Sequence, residues 1–300
     1  MNLQEPRRKK NSKFKKYVSL SNMKRKISSH FDGFSVIIEN ADDMKSTYEK
    51  GFFGKANLSR SCPIIRQNEV IRKRQYLRKC KWEDKDNKNV KIKKVIVVPD
   101  SDTDDENYFI NLKPEYQIDR SGVKEKLCLS LVEAYYLAKD IGCLSVYEED
   151  ALLDIRNIWG KFSKSDIHFI PNYITYNHFR RKGWVVKPGI KFGGDYILYK
   201  AGPPYYHASY VVIIDILNED LTRKKEMQRR SMEVINLIGL NRLCETAGKE
   251  LLICQLICPT DILQADDDNL PKININEILV KRWSETLENQ SRLLLGESLN

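Results

Sequence analysis

Residues 195–214 read DYILYKAGPPYYHASYVVII and hold five tyrosines together with one of the four histidines of the chain. The segments on either side of the Gly-Pro-Pro turn are apolar and rich in β-branched and aromatic residues, which is typical of strands. The turn interrupts regular structure, because proline fixes φ and has no amide hydrogen. The stretch therefore predicts two strands whose connection carries His207 at the entrance of the second strand.

The segments on both sides of this stretch continue the pattern. Upstream, YITYNHFRRKGW predicts a helix that ends at Gly183, and WVVKP predicts a further strand. Downstream, ELLICQLIC and EILVKRW predict the last two strands. Helices interspersed among strands indicate α/β packing around a mixed sheet, so we assign residues 170–287 to a mixed α/β domain, followed by a tail at 288–300.

A charged segment lies between the strand that follows the Gly-Pro-Pro turn and these last strands. We predict a helix here from about residue 221 to residue 240, with lysine and arginine outward. Its inward apolar residues would be Met227, Ile235 and Ile238. The basic run 223–230 (RKKEMQRR) would suit a phosphate backbone, and so would 180–182 (RRK), although solvated helix faces explain both nearly as well.

The preceding part of the chain predicts a small α/β domain over residues 31–165. GFSVIIEN indicates a strand, and the helical segment after it ends at Gly51. Ser130 and Glu133 have the spacing of a capping box at the start of another helix. The strand CLSVY and the helix DALLDIRNIWGKF follow. Residues from about 64 to 120 change from basic to strongly acidic without apolar periodicity, so we predict a largely disordered insertion there.

Most of the formal net charge of +10 lies at the amino terminus. Residues 1–29 contain ten Lys or Arg and a single acid, Glu5. We assign residues 1–30 to a basic disordered tail. A run such as PRRKKNSKFKK is typical of a solvated chain end, and equally of a nuclear-import or nucleic-acid-contacting segment. Both interpretations stay open on the sequence.

Hydropathy and cysteine content exclude several classes of protein. Eighteen uncharged apolar residues in a row do not occur, and the basic amino terminus has no apolar core, so we expect neither a membrane span nor a secretory signal. The seven cysteines are odd in number, scattered and free of C-x-x-C spacing. That pattern argues against a disulfide framework and against a zinc site. We expect a soluble intracellular protein without a metal or other cofactor.

His207 is the strongest candidate for chemistry. Histidine has the one side chain whose ordinary pKa lets it exchange a proton near neutrality, and a strand entrance can face a cleft. A hydrogen-bonded structural histidine is the alternative, and the neighbouring tyrosines are common packing residues of strands. The residues alone do not decide between these interpretations.

The block YNHFRRKGWVVKPGIKFGGDYILYKAGPPYYHASYVVII closely resembles the catalytic subunits of the eukaryotic tRNA-splicing endonuclease family, specifically those assigned to the 5′ splice site. Four further segments resemble the same family, in the same order along the chain. They are VIIENADDMKSTYEKGFFGKANLSRS, LSLVEAYYLAKDIGCLSVY, GKELLICQLICP and ILVKRWSE. The resemblance implies a restriction-endonuclease-like catalytic domain in the carboxy-terminal half and covers most of the chain outside the tail and the insertion.

The resemblance also implies a catalytic triad of Tyr199, His207 and Lys249. RNA carries its own nucleophile, the 2′-hydroxyl, so cleavage without a metal needs a base, an acid and a group that stabilises charge on the phosphorane. The three residues suit these functions in that order, and we expect Lys249 to lower the pKa of Tyr199. The products would be a 2′,3′-cyclic phosphate and a 5′-hydroxyl. Tyr196 is the rival base, on the opposite face of its strand.

Family members hold a splice-site base between an arginine and a tryptophan supplied by the opposite catalytic subunit. Arg242 and Trp283 match these positions. Stacking between a guanidinium and an indole tolerates any base, which suits recognition by shape. Without the resemblance, a solvated arginine and a half-buried strand aromatic are the simpler interpretations. The resemblance further implies a nuclear heterotetramer of two catalytic and two structural subunits that binds precursor tRNA.

Two alternatives remain at this point. A metal-dependent nuclease of related fold would need an Asp and a Glu-x-Lys on adjacent strands, and the only comparable spacing is Glu83-Asp84-Lys85 in the insertion. A structural, non-catalytic RNA-binding subunit would have no reason to keep all three triad groups. His178 lies on a basic helix but matches no catalytic position, and we expect it to be a surface histidine.

Overall fold

The structure is a computed structural model that describes residues 6–10, 26–59, 62–63, 94–95, 115–116, 125–258 and 273–281. These residues form two main sheets with helices packed on them, which confirms the mixed α/β fold class. Within these ranges, no helix is both long and apolar enough to cross a membrane. Glu83, Asp84 and Lys85 lie outside the described residues, as does nearly all of the predicted insertion.

The amino-terminal half contains a six-stranded sheet of order β3-β6-β2-β1-β7-β8 and a separate two-stranded pair, β4-β5. The elements in chain order are β1 (Ile27–Phe31), β2 (Val36–Ile38), α1 (Ala41–Gly51), β3 (Lys55–Ala56), β4 (Lys94–Val95), β5 (Glu115–Tyr116), β6 (Leu127–Leu129), α2 (Leu131–Lys139), β7 (Leu144–Glu148), β8 (Ala151–Leu152) and α3 (Ile155–Ser165). The predicted capping box is confirmed, because Ser130 and Glu133 each cap the other's backbone at the start of α2.

β1 departs from the sequence prediction, which assigns residues up to 30 to a disordered tail. The strand lies inside the sheet, antiparallel to β2 and parallel to β7. Ser29 occupies an inward position, is fully buried, and donates its hydroxyl to the carbonyl of Ser145 at 3.0 Å. A serine at a buried position hides the alternation of apolar and polar residues by which a strand is recognised.

The carboxy-terminal half is built on a five-stranded sheet of order β13-β12-β11-β10-β9. Its elements are α4 (Phe169–Arg181), β9 (Val185–Pro188), β10 (Tyr196–Tyr199), β11 (Tyr210–Leu217), α5 (Val234–Thr246), β12 (Glu250–Ile257) and β13 (Asn274–Val280). β11 and β12 are parallel, whereas the other three pairings are antiparallel. The strands predicted around the Gly-Pro-Pro turn are thus confirmed as β10 and β11, which form a hairpin.

The helix predicted from about 221 to 240 is wrong in its start and in its inward face. α5 begins only at Val234, and Ile235 and Ile238 are exposed, while Met227 is buried in a short 3-10 turn. The segment before α5 is irregular because buried carboxylates bind its polar side chains. Gln228 donates to the carboxylate of Asp215 at 3.0 Å and to the carbonyl of Ile216 at 2.9 Å.

One hydrophobic core joins the two halves, running from Ile27 on β1 to Cys258 after β12. A buried ion pair crosses between them, with Lys187 on β9 lying 3.4 Å from the carboxylate of Glu133 on α2. The Lys187 ammonium also donates to the carbonyls of Phe52 and Gly54, at 2.6 and 2.8 Å. Burial raises the pKa of Glu133, but Lys187 and two backbone amides outweigh burial, so the pKa of this carboxyl is lowered. Burial also lowers the pKa of Lys187, and the neighbouring Glu133 opposes that shift.

Candidate active site

The sheet topology brings the three triad positions to one end of the five-stranded sheet. Tyr199 is the last residue of β10, His207 lies three residues before β11, and Lys249 immediately precedes β12. β10 runs antiparallel to β11, whereas β12 runs parallel to it. The carboxyl end of β10 therefore meets the amino ends of the other two strands. The register agrees, because Tyr210 pairs with Leu198 on one side and with Glu250 on the other.

The loop of His207 is held by backbone bonds and by an aromatic contact from the amino-terminal half. The amides of Tyr205 and Tyr206 both donate to the carbonyl of Gly202 at 3.1 Å. Gly202 has φ +103°, and a Cβ there would lie 2.2 Å from the Phe52 ring, so only glycine fits. The Phe52 ring meets Tyr205 edge-on, with centroids 6.1 Å apart. The loop is thus fixed by its backbone rather than by the side chain of His207.

The imidazole of His207 is exposed. Across the described ranges its ring makes no hydrogen bond or ion pair, whereas its backbone amide donates to the carbonyl of Arg7 at 3.0 Å. A structural histidine would be expected to use its ring nitrogens in the fold. The ring of His207 is instead exposed, which is compatible with the expected role of a general acid.

Tyr199 is half-buried, and its surroundings act opposite to the sequence expectation. Burial raises the pKa of Tyr199, and the neighbouring Tyr48 adds to the effect. Lys249, expected to lower that pKa, does not contribute to it. The phenol is therefore neutral around pH 7 in this chain. Tyr199 packs against the core that joins the two halves and against a second, smaller apolar cluster that includes Val211 and Ile213. Tyr199 can act as a base only if a positive charge or a hydrogen-bond donor beyond its present neighbours stabilises the tyrosinate.

The ammonium group of Lys249 is held close to the sheet edge. Its Nζ donates to the carbonyl of Ala247 at 2.8 Å and lies 4.2 Å from the centroid of the Phe192 ring. Partial burial lowers the pKa of Lys249. A cation over an aromatic face is attracted by the ring quadrupole, so this contact helps to fix the direction of the side chain.

Tyr196, the rival base, belongs to the packing side of the sheet. Its hydroxyl donates to the carbonyl of Asn172 on α4 at 3.2 Å, and its ring lies 6.0 Å from that of Tyr176. Burial raises the pKa of Tyr196 well above its usual value. Alternation along β10 separates it from Tyr199, which favours Tyr199 at the candidate site.

His178 is part of the fold rather than a surface histidine. Its Nε2 lies 2.6 Å from the carboxylate of Glu277 on β13, and the ammonium of Lys182 approaches the same oxygen at 2.6 Å. The hydrogen bond from His178, followed by that from Lys182, lowers the pKa of Glu277 to about 2. α4 is thereby tied to the edge strand of the sheet.

Most cations of the basic runs 180–182 and 223–230 make contacts within the protein. Arg180 is buried, donates to Tyr176 and Gly51, and lies over the Phe53 ring. Arg223 pairs with Asp215, and Arg230 pairs with Asp195 and donates to the carbonyl of Gly193. Neither the solvated-face interpretation nor the phosphate interpretation describes these three arginines. Charge density in the sequence does not distinguish a surface cation from one that neutralises a buried acid.

Of the two candidate base-stacking residues, only Arg242 lies in the described part of the chain. Arg242 is exposed on α5, on the surface that also carries Ile235 and Ile238. Trp283 lies outside the described residues. Sequence reasoning did not find that residues 6–10 lie beside the His207 loop, since nothing in a run of four cations specifies a pairing partner.

Two family models match the chain. The model of the tRNA intron endonuclease N-terminal domain matches residues 27–159, and that of the tRNA intron endonuclease catalytic C-terminal domain matches residues 169–256. The second match contains the hairpin, α5 and nearly all of β12. All three triad positions therefore lie inside the part of the chain that matches the catalytic domain.

Curated relatives carry names from the same family. The tRNA-splicing endonuclease subunit Sen2 of Gallus gallus is 41% identical over 167 residues, which are 55% of this chain and 36% of that protein. Subunit SEN2 of Saccharomyces cerevisiae is 30% identical over 168 residues, 53% of this chain and 41% of that protein. The probable subunit sen2 of Schizosaccharomyces pombe is 25% identical over 313 residues, 85% of this chain and 79% of that protein. The chain spans about a third of the length of the vertebrate relatives it matches. With both domains of the family present in order, the chain belongs to the tRNA intron endonucleases.

Proposed function

We propose that this chain is the catalytic subunit of a tRNA-splicing endonuclease and cleaves precursor tRNA at the 5′ splice site. The proposal is based mainly on one observation. A phenol, an exposed imidazole and an ammonium group lie at the same end of one sheet, each at or next to the end of a different strand. The names of the Sen2 relatives support the choice of a splicing endonuclease subunit.

The proposed reaction is a metal-independent transesterification. The 2′-oxygen of the nucleotide before the cut attacks the adjacent phosphorus, and the bond from phosphorus to the 5′-oxygen breaks. Tyr199 accepts the proton of the 2′-hydroxyl, His207 gives a proton to the departing 5′-oxygen, and Lys249 stabilises the negative charge of the phosphorane. The products are a 2′,3′-cyclic phosphate and a 5′-hydroxyl, so no water is consumed.

The raised pKa of Tyr199 adds a requirement to this mechanism. The phenol must lose its own proton before it can act as a base, so the reactive tyrosinate is a small fraction of the resting protein. Cationic groups that enter the site with or around the RNA increase that fraction. Lys249 contributes mainly to the phosphorane, because its ammonium is already directed by Ala247 and Phe192.

The assembly belongs to the proposal as well. We propose a nuclear heterotetramer in which a second catalytic subunit and two structural subunits join this chain, and in which Arg242 helps to hold a splice-site base of the opposite site. Exposure of Arg242 on α5 is compatible with that role. A structural, non-catalytic subunit is the alternative, and it is disfavoured by an imidazole that the fold leaves exposed without using it.

The test is cleavage of an intron-containing precursor tRNA by the assembled complex in excess EDTA. We expect wild type to leave a 2′,3′-cyclic phosphate at the 5′ splice site, and His207→Ala to lose this cut while the 3′ cut persists. His30→Ala is the matched control, because His30 is an exposed histidine on β1 in the amino-terminal sheet. A requirement for Mg²⁺, or retention of both cuts in His207→Ala, would overturn the proposal.

A further inference from the structure

The amino-terminal segment Pro6–Lys10 lies against the loop of the candidate active site. Arg8 forms an antiparallel bridge with Tyr206. The amide of His207 donates to the carbonyl of Arg7 at 3.0 Å, and the amide of Lys9 donates to the carbonyl of Tyr205 at 2.9 Å. The segment is therefore attached through backbone groups on both sides of Tyr206, and one of these groups belongs to the candidate general acid.

The three contacts just described use backbone groups of the segment, whose side chains carry four consecutive positive charges. Arg7, Arg8 and Lys10 are exposed, and Lys9 is half-buried. Side chains alternate between the two sides of an extended segment. Arg8 is the bridge residue, so Arg7 and Lys9 lie on the side of the segment opposite to it. Lys200 adds a further cation at this loop, with its Nζ 5.9 Å from the centroid of the Tyr206 ring.

We propose that residues 7–10 bind the RNA phosphates that flank the scissile bond, so that the amino-terminal segment is a part of the active site rather than a tail. This inference rests on the proposed function, because it assumes that His207 acts on RNA. Arginine and lysine donate charge-assisted hydrogen bonds to phosphate oxygens, and such contacts position a nucleic acid without reading its sequence. The backbone bond to His207 joins the bound phosphates directly to the residue that protonates the leaving oxygen.

The segment also acts on the substrate at a distance. Its cations do not contribute to the raised pKa of Tyr199, so we assign them to substrate binding and not to formation of the tyrosinate. The same cations attract the RNA over distances of about the Debye length, ~8 Å at physiological salt. One segment thus supplies contacts to the phosphates and part of the attraction that brings the RNA to the site.

The test compares two variants that remove the same charge from different places. One replaces Arg7, Arg8, Lys9 and Lys10 by alanine, which deletes the cations and keeps the backbone bonds to the loop. The control replaces Lys13, Lys15, Lys16 and Lys24 by alanine, which lie outside the described residues. Single-turnover cleavage at the 5′ splice site is measured with the assembled complex against enzyme concentration and salt, with His207→Ala in parallel.

We expect the 7–10 variant to lose about 10- to 100-fold in kcat/KM at the 5′ site, with the 3′ cut unchanged. Its salt dependence should flatten by about 0.7 in log–log slope for each phosphate that the variant no longer neutralises. The control variant should stay within about threefold of wild type. Equal losses in the two variants would overturn the inference, because general attraction by a basic tail would then suffice. Normal cleavage by the 7–10 variant, with or without a defect in nuclear import, would overturn it too.

A second measurement does not depend on cleavage. It is photocrosslinking with the variant Arg8→p-benzoylphenylalanine, which has a photoreactive side chain at position 8. The substrate has a 2′-deoxy nucleotide at the 5′ splice site so that it cannot be cut. We expect the crosslink to map within a few nucleotides of the splice site. If His207→Ala has lost the 5′ cut, a crosslink elsewhere, or no crosslink, would overturn the inference and leave the proposed function standing. If His207→Ala still cuts at the 5′ site, the proposed function fails instead, and the inference fails with it.

Discussion

The two ends of the five-stranded sheet use charged residues in opposite ways. At one end lie Tyr199, His207 and Lys249, held in place mainly by backbone bonds of their loops. Toward the other end, the carboxylate of Asp215 is fully buried and accepts from Arg223, Gln228 and Gln255. In the proposed function the first end keeps its polar groups for a substrate, whereas the second end uses them to fix the fold. Activity and stability should therefore respond separately to changes at the two ends.

The largest effect is expected from removing a single hydroxyl at the candidate site. Tyr199→Phe should slow the 5′ cut by about 10²- to 10⁴-fold, as for loss of a general base. The free energy of unfolding should change by less than about 0.5 kcal/mol, because the hydroxyl makes no hydrogen bond among the described residues. Both quantities are measured, by single-turnover cleavage and by urea unfolding of the same preparations.

Tyr196→Phe is the matched control, three residues away on the opposite face of β10. It removes the hydrogen bond to the carbonyl of Asn172 and should cost about 1 kcal/mol of unfolding free energy, with the cleavage rate unchanged. If the two substitutions gave the reverse pattern, Tyr196 would be the base. The division of roles between the two faces of the strand would then be wrong.

The second effect is a loss of stability at the end of the sheet that contains Asp215. Asp215→Ala should lower the free energy of unfolding by about 2–4 kcal/mol, because it leaves Gln228 and Arg223 without their buried acceptor. Glu219→Ala removes an exposed acid four residues along the chain and should have no measurable effect. Urea unfolding followed by circular dichroism compares them. Equal stability of the two variants would show that the segment before α5 is not held by Asp215.

The smallest effect is a dependence of stability on pH. Glu277 has its pKa lowered from 4.5 to about 2 in the fold, so folding favours the carboxylate. Its contribution is complete above pH 4.5 and is lost as the pH falls toward 2. We expect a loss of about 1–2 kcal/mol over this window, after allowance for solvent screening of a partly exposed group. Glu277→Gln should remove this part of the acid dependence, and an unchanged acid profile in the variant would contradict the assignment.

The sequence predicts the apolar parts of this fold better than the polar parts. The hairpin of β10 and β11 and the capping box of Ser130 follow from local patterns, because apolar runs and caps act through neighbours in the chain. The helix predicted from about 221 fails for the opposite reason. Its apparent amphipathicity comes from arginines that pair with Asp215 and Asp195, and no local pattern reports a partner that is distant in sequence.

The candidate site shows the same division. The position of His207 at a strand entrance follows from the Gly-Pro-Pro turn, and Tyr199 lies where the strand register puts it. Lys249 is identified by resemblance, since a lysine before a strand has no distinctive pattern of its own. The direction of the pKa shift at Tyr199 depends on burial and on Tyr48, which lies far away in the sequence. The pairing of residues 6–10 with the loop is equally inaccessible, because it joins segments almost two hundred residues apart.

The contact of Phe52 with Gly202 affects how the chain unfolds. Phe52 adopts a left-handed conformation at φ 57° and fills the space over the turn, while Lys187 reaches back to the carbonyl of the same residue. The amino-terminal half therefore covers part of the hairpin, and the hydrophobic core is continuous between the halves. We expect the chain to melt in one cooperative transition, and a fragment limited to residues 169–258 to expose apolar surface and aggregate instead of folding.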